Sequence, residues 1–207
     1  MTQRNTQALE AVVLAAGRGA RFGGDKLLAT LDGAPLVTGA LNTAFAAPVR
    51  RVFVAVGEDE PLRAAVRAGA ARLGATERLI LVPVADAAEG MGASLRAAAA
   101  ALPQDTAGVF VFLGDMPAIA ATTPALLAAS LARPDQIVVP VLAGRRGHPV
   151  LFGADWLADL RALGGDEGAR ALLKRAGPRL VEISVEDRGV HLDIDRPEDL
   201  ARAAERP

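Results

Sequence analysis

The chain is 207 residues long, carries a net charge of −1, and contains neither cysteine nor tyrosine. That length suits one domain with a substantial core, the near-zero charge argues against a basic nucleic-acid-binding face, and the lack of cysteine excludes disulfides, thiolate metal sites and cysteine nucleophiles. Hydrophobic residues make up 51% and aromatics only 3%, so the core must be aliphatic; no apolar run approaches the roughly 18 residues of a membrane span, the first ten residues lack the apolar centre of a secretion signal, and a cytoplasmic protein with no membrane or nucleic-acid partner is expected.

Residues 11–15 (AVVLA) read as a buried parallel strand. A loop follows that carries Gly17, Gly19, Gly23 and Gly24 with Arg18, Arg21 and Lys26. Residues 35–47 read as a helix, 51–56 (RVFVAV) as a strand, 60–73 as a helix and 79–84 as a strand. A helix over 92–102 leads to a strand over 109–113 that ends in Gly114-Asp115-Met116-Pro117. Thr123-Pro124 reads as an N-cap with proline at the first helical position, opening a helix to about residue 132. Strands over 137–142 and 149–152 bracket a hairpin or loop, AGRRGH. A helix over 165–175, a strand over 180–185 and a helix over 197–205 complete the chain. The alternation predicts an α/β fold with a mainly parallel sheet. In such sheets ligands sit beyond the carboxyl ends of the strands, which is where the polar motifs fall.

The first loop suits phosphate. Glycine lets the backbone approach a ligand closely and turn its N–H groups onto it, and arginine and lysine supply a fork and a point charge. It is neither of two common phosphate loops. Phe22 stands where the dinucleotide fingerprint needs its third glycine, and Asp25 follows Gly24 where a P-loop needs lysine. Only two of the 23 basic residues are lysines, Lys26 and Lys174, so Lys26 reads as selected for its ammonium. A triphosphate is the expected ligand; an ordinary glycine-rich turn is the plain alternative.

Four further segments carry candidate chemistry. Asp115 at a strand end can ligate a hard cation, or serve a turn stiffened by Pro117. His191-Leu192-Asp193-Ile194-Asp195 alternates, so a strand there would put Asp193 and Asp195 on one face. Asp193 is expected to complete a metal site with Asp115, and Asp195, three residues before Glu198, to cap the last helix, though the two could exchange roles. Residues 89–95 (EGMGASL) enter a helix, where backbone N–H groups and Ser94 can meet base, ribose or phosphate; an ordinary helix start is the alternative. Arg145, Arg146 and His148, with Gly165-Asp166-Glu167-Gly168-Ala169-Arg170, are expected to face a second, anionic substrate, or else to form a solvated hairpin tip and a helix start.

The pattern LAAG-x-G-x-R-x-G-x-x-K, with Leu14, Ala15, Ala16, Gly17, Gly19, Arg21, Gly23 and Lys26 in place, resembles the signature of nucleotidyltransferases of the molybdenum cofactor type, the MobA-like family. The G-M-x-x-S-L segment and alanine rather than glycine at position 16 are similar to its cytidylyl branch. The resemblance implies a three-layer αβα, Rossmann-like (glycosyltransferase A-like) fold, and transfer of CMP from CTP to the terminal phosphate of Mo-molybdopterin with release of pyrophosphate. It implies catalytic roles for Arg21, Lys26 and Asp115, and nucleotide contacts from Leu14, Ala15, Ala16, Gly17, Gly19, Lys26, Gly90 and Ser94. It implies magnesium on Asp115 and Asp193, acceptor contacts from His148 and Arg170, and a recipient molybdoenzyme or its chaperone as a further partner. Arg196 departs from the threonine usual in the family. GTP as donor, or another phosphorylated acceptor, is the alternative.

Overall fold

The computed structural model describes residues 8–17, 22–85, 90–164 and 169–204. In chain order these form β1 (Leu9–Leu14), a short hairpin of β2 (Thr30–Leu31) and β3 (Ala34–Pro35), α1 (Val37–Ala46), β4 (Val52–Val56), α2 (Glu60–Arg72) and β5 (Leu79–Pro83). There follow α3 (Met91–Ala100), β6 (Gly108–Leu113), α4 (Thr122–Ser130), β7 (Ile137–Leu142), β8 (Arg145–Arg146) and β9 (Val150–Gly153). The chain closes with α5 (Leu157–Arg161), α6 (Arg170–Ala176), β10 (Leu180–Ser184) and α7 (Pro197–Ala204).

The sheet runs β10-β7-β9-β6-β1-β4-β5, with β8 paired to β7. Pairings are parallel from β6 through β1 and β4 to β5, and again between β7 and β10. β9 runs antiparallel to both neighbours, β6 and β7. The central strands are apolar without alternation because both faces are covered, and the core is not purely aliphatic as expected, since Phe53, Phe110, Phe112, Phe152 and Trp156 are buried in it. Ala11, Val13, Phe110 and Phe112 face the side that holds α1, α2, α4 and α7. Val12, Val109 and Val111 face the side that holds α3, α5 and α6. The expected three-layer αβα arrangement is therefore present.

One charge lies inside β1. Glu10 is 0% exposed, and its carboxylate accepts hydrogen bonds from the Arg50 guanidinium and the Arg51 backbone N–H. Arg50 extends the pair outward to Asp105. A buried carboxylate survives only when paired in this way, and here it fastens the amino end of β1 to the start of β4.

Several local expectations are corrected. α4 starts one residue before Thr123, whose hydroxyl donates to Asp187 instead of capping the helix. Residues 192–195 are not a strand: a 3-10 turn (Arg188–His191) precedes them, and the Ile194 N–H donates to the Asp115 carbonyl at the end of β6. Ile194 is buried, which preserves the apolar half of the alternation without a ladder. The AGRRGH segment is a hairpin whose tip, Ala143-Gly144, has positive φ at both residues, as a two-residue turn between twisted strands requires. Within the helix expected over 165–175, residues 165–168 lie outside the described residues and α6 covers the remainder.

Candidate active site

The chain leaves β1 at Ala15, Ala16 and Gly17 and returns through Gly23, Gly24 and Asp25, all three with positive φ. This left-handed curl delivers Lys26 at the start of a 3-10 turn. Leu27, buried in the core, lies beside the backbone of Gly114, where a Cβ would come within 3.4 Å of it. Burying Leu27 thus sets Lys26 next to the residue that follows Gly114.

A cavity of about 450 Å³ opens at the carboxyl ends of β1, β4 and β5. Ala15, Ala16 and Gly17 line one wall, and Gly24 to Leu28 another. Gly57, Glu58 and Asp59 lie beyond β4, and Val84 and Ala85 beyond β5. Asp59 also caps α2 by accepting the Leu62 N–H.

Lys26 links this cavity to the end of β6. Its ammonium donates to Asp115 Oδ2 at 2.7 Å and to Asp195 Oδ1 at 3.1 Å. Its side chain is only 12% exposed. Burial works to lower the Lys26 pKa, but the hydrogen bonds and charges of Asp115 and then Asp195 outweigh it, leaving the value raised above 10.5. Asp115 Oδ1 is buried without a hydrogen-bond partner among the described residues.

Asp115 stands on a fixed turn. The Gly114 N–H donates to Leu14, the Met116 N–H to Leu113, and the Asp115 carbonyl receives Ile194. Thr43 of α1 donates to the Ile119 carbonyl, and Asp187 accepts from both the Ala120 N–H and Thr123. Two glycines press against the same turn. A Cβ on Gly39 would overlap Pro117, and one on Gly189 would overlap Ala118. These contacts fix the backbone of the turn that carries Asp115.

Of the expected site residues, Ala15, Ala16, Gly17 and Lys26 line one cavity, and Lys26 brings in Asp115. The late aspartates depart from the expected capping arrangement. Asp195 joins Lys26, whereas the carboxylate that receives the N–H groups of Asp195 and Arg196 at the start of α7 belongs to Asp199. Asp193 is exposed. Leu14 closes β1, half-buried against the core and not on the cavity wall. Gly90 precedes α3 with positive φ, and Ser94 is buried within the first turns of that helix; neither lines the cavity. Gly19 and Arg21 lie outside the described residues.

His148 precedes β9, and because β9 is reversed it lies at the carboxyl end of β6. Burial lowers its pKa, against the opposing effects of a hydrogen bond with the Val111 backbone and the charges of Asp115 and Asp193. Its Nδ1 is buried without a partner among the described residues. Arg170 is exposed at the start of α6. Arg146, also exposed, pairs with Glu182. Sequence reasoning missed Thr43, Asp187, Gly39 and Gly189. A glycine inside an otherwise helical run, as at Gly39, is the one signal that could have pointed to close packing.

The site thus combines a doubly covered α/β sheet, a glycine-rich turn and Lys26 on a cavity beyond the strand ends, and a strand-end aspartate in contact with that lysine. Residues 11–181 match the MobA-like NTP transferase domain, and the chain belongs to that family of nucleotidyltransferases. It is 38% identical over 136 residues to the bifunctional protein GlmU of Mycobacterium sp. (strain KMS), covering 63% of this chain and 27% of that one. The chain therefore spans about a quarter of the length of that curated relative. It is 29% identical over 198 residues to the purine catabolism protein PucB of Bacillus subtilis (strain 168), covering 93% and 95% of the two chains. Among solved structures, Rv0371c of Mycobacterium tuberculosis H37Rv superposes with a TM-score of 0.79 at 30% identity, over 98% of this chain and all of that one. A manganese complex of the same mycobacterial protein superposes with a TM-score of 0.75.

Proposed function

We propose that this chain transfers CMP from CTP to the terminal phosphate of molybdopterin carrying molybdenum. An acceptor phosphate oxygen bonds to the α-phosphorus, the α–β bridging P–O bond breaks, and pyrophosphate leaves with its electron pair. The observation that carries the reading is Lys26, a residue that lines the cavity of the glycine loop and whose ammonium contacts Asp115.

The attacking phosphate is already ionised at neutral pH, so no general base is required. Catalysis then consists of positioning and charge neutralisation. Lys26, Arg21 and the N–H groups of the loop, Gly17 and Gly19 among them, hold the triphosphate and its departing half. The methyl of Ala16 narrows the base side of the cavity in favour of a pyrimidine, with Gly90 and Ser94 toward the nucleoside. His148 and Arg170, with Arg145 and Arg146, receive the anionic acceptor.

A divalent cation fits the residues present. Asp115 keeps one buried oxygen without a partner, and a second carboxylate converges on the same ammonium. Magnesium needs only one or two carboxylates, with phosphate and water completing its shell. Asp115 with Asp195, or with Asp193, would hold it, and when bound it neutralises developing charge on the phosphate oxygens. The manganese complex of the mycobacterial relative is in keeping with a divalent site.

The test is pyrophosphate release from a panel of CTP, GTP, ATP and UTP, with and without molybdenum-loaded pterin. Release confined to CTP and dependent on the pterin is expected. Release from GTP, or with another phosphorylated acceptor in place of the pterin, overturns the assignment. The product would pass to a molybdoenzyme or its chaperone.

A further inference from the structure

We propose that Lys26 is an internal counter-ion that occupies the cation-binding carboxylates until a triphosphate draws it away, so that nucleotide and divalent metal bind synergistically. The inference rests on the triphosphate and metal assignments above and concerns how the two ligands are coupled.

A single residue meets both surroundings. Lys26 lines the cavity together with Gly17 and Gly24, and it donates to Asp115 and Asp195 on the other side. A lysine head is a compact point charge on a flexible four-carbon stem. In reaching the phosphates it releases carboxylate oxygens, and in holding the carboxylates it leaves the phosphates without it. The neighbouring backbone cannot make the choice for it, because Leu27 is anchored in the core. The exchange is left to the side chain alone.

The present pairing satisfies only part of the carboxylates. Asp115 Oδ2 and Asp195 Oδ1 are taken by the ammonium, whereas Asp115 Oδ1 is buried with no partner among the described residues. Two carboxylates share the one ammonium. A free divalent cation that approaches this pair meets the lysine charge between the oxygens it needs. A triphosphate in the cavity offers the ammonium a stronger anion, and its departure exposes two carboxylates for the metal. By linkage, the metal then tightens the nucleotide by the same factor. Couplings of this type commonly amount to about 5- to 150-fold in affinity.

Two measurements test the proposal without turnover. The first follows free Mn²⁺ by electron paramagnetic resonance during titration of the nucleotide-free protein. Lys26→Met should bind Mn²⁺ at least about tenfold more tightly than the wild type, within the usual range of such couplings. Lys26→Arg, which keeps a cation between the carboxylates, should bind it as weakly as the wild type. Lys26→Met combined with Asp115→Asn should lose the gain. An unchanged Mn²⁺ affinity in Lys26→Met, a gain in Lys26→Arg, or a gain that survives Asp115→Asn overturns the proposal.

The second measurement uses the wild type and remains available if Lys26→Met fails to fold. Selective ¹⁵Nζ-lysine labelling gives two ammonium signals, because Lys26 and Lys174 are the only lysines. Metal-free tripolyphosphate should move the Lys26 signal and leave Lys174 as an internal reference. A stationary Lys26 signal at saturation overturns the exchange. A chain that releases no pyrophosphate from any nucleotide but passes both tests loses the reaction assigned above and keeps this coupling.

Discussion

Asp115→Asn separates chemistry from scaffolding. The substitution keeps the shape of the side chain and removes its charge. Its partner, Lys26, is 2.7 Å away and largely buried, but retains Asp195 at 3.1 Å. Removing one member of a fully buried pair costs about 3–5 kcal/mol, and an exposed pair is worth about 0–1 kcal/mol. With Asp115 22% exposed and a second carboxylate in reserve, the expected loss lies between them, about 1–2 kcal/mol when those limits are weighed together. For a chain of this size each kcal/mol lowers the melting temperature by about 2–4 °C, so a drop of about 2–8 °C is expected. The same charge removed from a transition state that spreads over phosphate oxygens costs roughly 3 kcal/mol, or about a hundredfold in rate. Thermal melts and pyrophosphate release on one preparation give both numbers. Glu10→Gln supplies the contrast: it removes a fully buried charge from Arg50 at the other end of β1 and should lower the melting temperature more while turnover per folded molecule stays unchanged. Wild-type turnover by folded Asp115→Asn, or a fall in turnover matched by Glu10→Gln at equal melting temperature, refutes the reasoning.

Two further outcomes are expected. The Lys26 pKa is raised above 10.5 in the folded protein despite burial, because Asp115 and Asp195 hold its charge; its stabilisation is complete below 10.5 and is lost as pH rises through the folded value. The gap in denaturation midpoint between wild type and Lys26→Met should therefore narrow above pH 10.5, and a constant gap contradicts the ion pair. Gly189→Ala forces a methyl into the carbonyl of Ala118, so it should displace the turn that carries Asp115 and lower turnover by a larger factor than nucleotide affinity. Unaltered turnover in that variant shows that the turn has room to give.

The layers were legible in the sequence because strands covered on both sides leave an apolar run with no alternation, as residues 52–56 and 109–113 do. The loop around Lys26 was legible because glycine density and a rare lysine coincide. The short hairpin at Asp32-Gly33 was announced by its turn pair, whose residues both have positive φ, but two-residue strands give too little pattern on either side. The five residues of α5 fail similarly, being shorter than two helical turns. The contacts of Asp193 and Asp195 could not be separated locally, since the one that sets Asp195 apart is to a partner 169 residues away in sequence, Lys26. Thr123 was misread for the same reason: its hydroxyl is claimed by Asp187, 64 residues on. Short-range rules assign a polar side chain to its nearest backbone, and tertiary contacts reassign it.

The reversed course of β9 has a consequence for how such a protein could diversify. Strands that run with the sheet offer only their trailing loops to the mouth, and the proposed function commits those loops to holding nucleotide and charge. A strand laid in backwards contributes its leading edge instead, with His148 and β8 (Arg145–Arg146) just before it. Under the proposed function, the donor half and the acceptor half of the reaction hang on different segments of chain. New acceptors can be tried by rewriting one hairpin, with the machinery that activates the nucleotide left intact.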